Sequence, residues 1–196
     1  MTSAEAKRLE ALYALEILDT PREERFDRIT RTAVRLFRMP KSLLAFVDET
    51  RAWVKSEVGT SIDWVPRESS FSDLAIESEV PVVVPDARSD PRFVGHPLVV
   101  GPDRIRSLAA HPLRTADGHR VGALLVMDSE PHDFTEEELK ALTDLCRLAE
   151  EELADIEHAG SGGCRESPRL PSINRLPSND VHSRPITSAV LILGDL

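Results

Sequence analysis

The side chains best placed for acid–base chemistry are Asp86, Asp90 and His111, with Arg92 and Arg106 nearby as cations that could fix an anion. Arg106 offers a planar fork of donors for a carboxylate or phosphate, and Trp53 a flat apolar wall for a ring. Asp86 and Asp90 both lie in Val84-Pro85-Asp86-Ala87-Arg88-Ser89-Asp90-Pro91-Arg92-Phe93. Asp caps neighbouring amides and favours turns, so loop building is the expected role of both. Arg92 suits either pairing with one of them or meeting a ligand. His111 precedes Pro112 on a predicted strand and is expected to be packed or exposed. No spacing brings these groups together, and no nucleophile elbow, Walker loop, HExxH or paired His motif occurs. No catalytic residue is expected. Cys146 and Cys164 are the 2 cysteines, without CxxC or a His/Cys cluster, so no metal, cofactor or disulfide framework is expected.

Composition narrows the class. The 196 residues, 41% hydrophobic and 30% charged, suit one soluble globular domain. A formal net charge of -10 opposes nucleic-acid binding, which needs a basic surface. No apolar run approaches the ~20 residues of a membrane span and no leader pattern opens the chain, so a cytoplasmic protein is expected.

Helix and strand signals supply the frame for these side chains. Thr2 to Glu5, Thr20 to Glu23 and Thr135 to Glu138 each fit a capping box, in which a hydroxyl and an acid satisfy each other's backbone amides. The first predicts a helix over 3–18 with Leu9, Leu12, Tyr13 and Ile17 inward. In the second, Pro21 suits the first helical position and Phe26, Ile29, Ala33, Val34 and Phe37 form the apolar stripe. Arg22, Arg25, Arg28, Arg31 and Arg35 fall mostly off that stripe, among Glu23, Glu24 and Asp27, as a solvated salt-bridged face. In the third, Phe134 and Leu139 form a hydrophobic staple, and Leu139, Leu142, Cys146, Ala149, Leu153 and Ile156 form a heptad seam. That seam fits either a coiled coil or a core face, and its short length favours packing on a sheet.

Ser42 to Asp48 reads as a strand buried on both faces, leading by a hairpin into Arg51 to Ser56. Val82 to Val84 is another short strand. Ile105 to Leu113 and Arg120 to Met127 flank Asp117-Gly118, a pair favoured in tight turns whose central residues both need positive φ. Pro112 belongs at an edge or bulge. From Ala159 the composition turns to Gly, Ser, Pro and Asn, giving a domain over 1–158 and a disordered tail over 159–196. Within it Ala189 to Leu193 is strand-like but isolated.

These signals, taken in order, resemble the GAF domain of bacterial sensor histidine kinases and diguanylate cyclases. The resemblance is collinear from about Lys7 to Leu153. It is carried by Ala14-Leu15-Glu16-Ile17-Leu18-Asp19-Thr20-Pro21, by Glu24 to Thr30, and by the strand pair ending Phe46-Val47-Asp48-Glu49 and Trp53-Val54-Lys55-Ser56. Pro66 to Phe71, the Val84 to Phe93 loop, Ile105-Arg106, Pro112-Leu113 and Asp117 to Asp128 complete it. The resemblance implies an α+β fold. A central mainly antiparallel sheet of five or six strands would carry the N- and C-terminal helices on one face and a ligand pocket on the other. It implies ligand contacts from Trp53, Ser70, Phe71, Ser72, Asp86, Phe93 and Arg106.

Departures from that pattern limit the chemistry. Where this subgroup often shows Phe-Cys-Ala-His, this chain reads Phe71-Ser72-Asp73-Leu74, without thiol or imidazole. The Asn-Lys pair of cyclic-nucleotide-binding relatives is missing, and Cys146 suits neither a bilin attachment nor methionine sulfoxide reductase chemistry. The implied function is a non-catalytic sensory module that binds an unidentified small molecule and signals through its terminal helices. A homodimer through those helices and a separate effector protein are the expected partners. The alternatives are a scaffold whose pocket is vestigial, or the input domain cut from a longer kinase or cyclase.

Overall fold

The computed structural model describes residues 2–161. In chain order these form α1 (Ser3–Ala14), α2 (Glu24–Phe37), β1 (Lys41–Val47), β2 (Arg51–Val58), β3 (Trp64–Pro66), α3 (Phe71–Glu77), β4 (Val82–Val84), α4 (Pro97–Val100), β5 (Ser107–Arg114), β6 (Arg120–Asp128) and α5 (Glu136–Ser161). The strands make one six-stranded sheet in the order β3-β2-β1-β6-β5-β4, antiparallel throughout. This is the α+β architecture expected, with six strands. Among the described residues no helix is long and apolar enough to cross a membrane.

Two cores lie on opposite faces of the sheet, because successive strand residues point to opposite sides. Leu44 and Phe46 of β1 and Leu124 and Val126 of β6 pack beneath α1, α2 and α5 with Leu12, Phe26, Ile29, Leu142 and Cys146. Leu43 and Ala45, with Ala123, Leu125 and Met127, face the other way, toward Phe71, Ala75, Phe93, Val99 and Ile105. The continuous apolar run of β1 has this cause: neither of its faces meets water. The central pair approach so closely that a Cβ on Gly122 would sit 2.2 Å from the Ala45 carbonyl oxygen. Val121 is the extra residue of a bulge, since Leu113 pairs with Gly122 and Arg114 with Arg120, and it turns into the helix-side core.

The helix ends divide the predicted caps. Thr135 and Glu138 form the reciprocal box: the Thr135 amide donates to Glu138 Oε2 at 2.8 Å and the Glu138 amide to Thr135 Oγ1 at 3.2 Å. At α1 only half of the box forms. Thr2 Oγ1 accepts from the Glu5 amide at 3.3 Å, but the Glu5 carboxylate is gripped by Arg8 at 2.8 Å and Arg67 at 2.5 Å. That helix ends at Ala14 instead of 18, with Glu16 and Asp19 at positive φ; Ile17 still reaches the core, whereas Tyr13 is 50% exposed.

The Thr20–Glu23 box does not form. Helix α2 begins at Glu24 and Glu23 makes no side-chain cap. The reason is Lys55 on β2, whose buried ammonium donates to Thr20 Oγ1 at 2.7 Å and Pro21 O at 2.8 Å and pairs with Glu23 at 2.6 Å. The arginine face of α2 is salt-bridged as expected, through Arg22 to Glu57, Arg31 to Glu24, and Arg25 and Arg28 to Glu152 of α5.

The seam of α5 is spent on the sheet, with Leu142, Cys146, Ala149 and Leu153 fully buried. The β5–β6 connection is a five-residue loop, Thr115 to His119, in which Gly118 alone takes positive φ (+83°) and donates its amide to Thr115 O at 2.8 Å. Asp117 does not, so this is a wider turn than the tight two-residue form expected. Pro112 lies past Ala110, the last β5 residue paired with β4, where no ladder bond is lost. Helix α5 runs to Ser161, into the predicted tail; the remainder of that prediction, 162–196 with Cys164 and the 189–193 run, lies outside the described residues.

Candidate functional site

A cleft opens on the sheet face away from α2 and α5. Its floor is Leu43 and Ala45 of β1, Ala52 and Val54 of β2, and Leu125 and Met127 of β6. Phe71 and Ser72 of α3, Leu98 of α4 and Ile105 close it from above, and Lys41, Thr60, Ser70 and Asp103 bring the polar atoms. The atom-free space, mouth included, is about 440 Å³, yet only about 30 Å³ admits the centre of a water-sized sphere. The site is therefore tight as well as apolar. One or two water centres need roughly that much room.

Helix α3 sits at the cleft because Ser70 caps it, its Oγ accepting from the Ser72 amide at 3.0 Å. Phe71 then packs edge-on to Phe93, with ring centroids 5.7 Å apart, and stacks against His96 at 4.4 Å. Burial pushes the His96 pKa down, which favours the neutral ring whose Nδ1 accepts from the Leu98 amide at 3.3 Å. The Ser72 hydroxyl has no hydrogen-bond partner among the described residues. Lys41 Nζ meets Asp103 O at 3.2 Å and Asp103 Oδ1 at 3.3 Å.

The sequence-predicted residues divide between this cleft and other places. Ser70, Phe71 and Ser72 line it. Phe93 is buried behind Phe71 and supports the roof. Trp53 is on the wrong face for a ligand contact. Ala52 and Val54 point into the cleft, so Trp53 between them points into the helix-side core, where Lys55 Nζ lies 5.8 Å from its ring.

Asp86 and Arg106 satisfy each other. Arg106 Nη2 donates to Asp86 Oδ2 and Nε to Oδ1 at 3.1 Å, a bidentate pair that spends the Nε–Nη2 edge of the guanidinium on the loop. Arg106 holds the Asp86 carboxyl below its usual range, and Asp86 also accepts from the Arg88 amide at 3.1 Å. Asp90 does the same for its own turn, accepting from the Arg92 amide at 3.0 Å and pairing with the Arg92 guanidinium at 2.6 Å. His111 is partly buried with its Nδ1 2.9 Å from Pro112 O. These groups do not converge.

Lys41, Thr60, Ile62, Leu98 and Asp103 were missed by sequence reasoning. Lys41 and Asp103 stand far apart in the chain and belong to no motif. Only the parity of Lys41 with Leu43 and Ala45 along β1 could have placed it on the cleft face.

Above the cleft, Arg67 ties the roof to α1. It bonds Asp73 of α3 at 2.7 Å and Glu5 of α1 at 2.5 Å, and Arg8 on the same helix donates to Glu5 and to Val47 O at 2.6 Å. Hydrogen bonds from Arg8, with Arg67 adding to them, hold Glu5 down from 4.5 to about 2.

Comparison with known proteins bears on what such a site does. The sequence profile of the family described as "GAF domain" matches residues 21–153. A cyclic di-GMP phosphodiesterase of Pseudomonas aeruginosa is 35% identical over 144 residues, which is 74% of this chain and 22% of that protein. The chain thus spans under a quarter of that relative's length. Among solved structures, the GAF domain of an Acinetobacter phosphoenolpyruvate-protein phosphotransferase superposes with a TM-score of 0.58 at 19% identity, covering 85% of this chain and 100% of that one. A domain of a putative two-component sensor histidine kinase from Sinorhizobium meliloti gives 0.56 at 14%, covering 70% and 94%. The free methionine-R-sulfoxide reductase of Neisseria meningitidis, with its substrate, gives 0.56 at 16%, covering 81% and 95%. These low identities speak for the fold alone.

Proposed function

The chain belongs to the GAF domain family, whose members serve as sensory and regulatory domains in signal transduction, and from that premise we propose that it is a non-catalytic sensor. It takes a small molecule into the cleft under α3 and α4 and passes its occupancy to α1 and α5. The carrying observation is that β1 and β6 each face both ways. Leu43, Ala45, Leu125 and Met127 floor the cleft, while their neighbours Leu44, Phe46, Leu124 and Val126 pack under the helices. Close-packed interiors transmit small displacements, so spreading the floor shifts the surface on which α5 rests. The Arg67 link gives α1 a second connection to the roof. A ligand shifts such a system only by its difference in affinity for the two arrangements.

Thiol chemistry like that of the reductases has no support here, since the cleft lining holds no cysteine and Cys146 is buried on the other face. By analogy with the phosphodiesterase, the chain would act in the bacterial cytoplasm as an input unit for an effector on another polypeptide or on a longer form of this one. The homodimer surface is proposed on the outer faces of the terminal helices, where Tyr13 and Leu148 stay 50% and 47% exposed. The buried seam is not available to it.

Native mass spectrometry of the purified chain, followed by hydrogen exchange on any complex, tests this reading. Retained mass with altered protection in α1 or α5 supports sensing. An empty protein whose cleft resonances respond to no member of a fragment library refutes it. The tightness of the cleft is the one observation favouring the alternative of a scaffold with a vestigial pocket. Dimerisation that survives Leu148→Glu would move the interface off α5.

A further inference from the structure

Lys41 opens β1 on the cleft face and keeps 17% of its side chain exposed at the mouth. Its contacts with Asp103 are loose. Charged N–H···O bonds usually close to about 2.7–2.9 Å, and the pair Lys55–Glu23 reaches 2.6 Å, whereas Lys41 Nζ stops at 3.2 and 3.3 Å from its two acceptors. An ammonium carries three donors, so Lys41 holds unspent capacity at the rim of an otherwise apolar site. The Ser72 hydroxyl, also in the lining, is unpartnered among the described residues. Asp103 belongs to the loop between α4 and β5, where Arg104 is held at φ +49°, a strained value for a side chain of this kind.

We propose that the cleft selects a small molecule with an apolar body and a carboxylate head, and that Asp103 occupies Lys41 in place of that head when no ligand is bound. The inference rests on the cleft being a ligand site, as argued above. The apolar body would lie along Leu43, Val54, Ile105, Leu125 and Met127. The head would take the Lys41 ammonium, with the Ser72 hydroxyl free to donate to a polar atom of the ligand. Asp103 would be released to water together with its loop. A neutral head gains less from Lys41, because it can accept a hydrogen bond from the spare N–H but adds no ion–ion attraction and leaves the existing ion pair in place.

Titrations of the full chain with sodium hexanoate and with 1-hexanol, followed by amide NMR, test this in the wild type, Lys41→Met and Asp103→Asn. Hexanoate should bind about tenfold more tightly than hexanol, as a charge-assisted hydrogen bond implies. Lys41→Met should abolish that preference. Asp103→Asn should strengthen hexanoate by a few-fold and leave hexanol unchanged, since it removes the competitor and not the anchor. Equal binding of the two probes to the wild type, or a hexanoate preference that survives Lys41→Met, overturns the carboxylate proposal while leaving the cleft as a ligand site. Failure of both probes to move any cleft resonance in any of the three proteins overturns both. Folding of each variant is checked by its amide spectrum, and the two variants act in opposite directions, so general damage cannot imitate the expected pattern.

Discussion

Replacing Lys55 with Met tests whether one buried ammonium pins the connection between α1 and α2 to the sheet. The Lys55 side chain is 0% exposed, and its protons are taken by Thr20 Oγ1, Pro21 O and Glu23 at 2.7, 2.8 and 2.6 Å. The rings of Phe26 and Trp53 flank it, 5.6 and 5.8 Å from Nζ. Methionine has nearly the same length and volume, so Lys55→Met removes the charge and the donors with little change in packing. The Pro21 carbonyl then loses its donor, at about 1–3 kcal/mol, and the charged contact with Glu23 is lost at a similar cost. Two facts soften this: Glu23 is 36% exposed, and Arg25 still meets it at 2.6 Å. Dehydrating a thioether is also cheaper than dehydrating an ammonium. The expected net loss is about 2–4 kcal/mol. In a domain of this size each kcal/mol moves the melting temperature by about 2–4 °C, so a fall of roughly 4–16 °C is expected. Thermal unfolding followed by circular dichroism at pH 7 reads this, and hydrogen exchange should show lost protection around Thr20 to Glu23. A melting temperature at or above that of the wild type would refute the reasoning. It would mean that dehydrating the lysine costs as much as its contacts return.

Acid should weaken the α1–roof contact. Glu5 has its pKa depressed from 4.5 to about 2, so the stability it contributes is complete above pH 4.5 and is lost as pH falls from there through about 2. After discounting for solvent the contribution is about 1 kcal/mol, and Glu5→Gln should flatten the pH dependence of the urea midpoint across that window. Gly122→Ala should cost about 3 kcal/mol or more, because a Cβ 2.2 Å from the Ala45 carbonyl forces β1 and β6 apart; a soluble variant with an unchanged melt would contradict the close approach. Cys146 is 0% exposed with its thiol pKa raised by burial, so in a Cys164→Ser background a thiol reagent should label it only at the rate of unfolding. Rapid labelling of the native protein would show that α5 opens from the sheet.

What could be read from the sequence depended on whether a residue's partner lies near it in the chain. Thr135 and Glu138 are each other's partners, so the box that opens α5 was legible. Thr20 and Glu23 carry the same pattern, but Lys55, which the chain reaches only on β2, claims them both. Local preference lost to a tertiary partner. Five of the six strands and their order of appearance, β3 being the exception, were legible from β-branched runs and turn residues. The facing of Trp53 was not, because along β2 it shares its parity with Arg51, Lys55 and Glu57, which reads as a polar face, whereas Lys55 is buried and Trp53 lies in the helix-side core. Asp86 was read both as a loop builder and as a ligand contact; it builds its own loop and pairs with Arg106, which was also expected on the ligand. Lys41 and Asp103 went unseen because a lone charge at a strand end has no signature until the fold brings its counterpart across.

The acidic end of α5 is fastened on two sides. Glu150 accepts from the Arg114 amide of β5 at 2.9 Å, Glu152 meets Arg28 of α2 at 2.5 Å, and Glu157 reaches the Ala116 amide of the β5–β6 loop at 3.4 Å. Anchors spread around a rod behave like keys in a shaft. Turning α5 about its own axis would draw all of them out together, whereas tipping it, or loosening one end, releases them singly. A message leaving by this helix would therefore travel as a lean or a frayed end and not as a twist, and whatever receives it would have to be built to sense a change of angle.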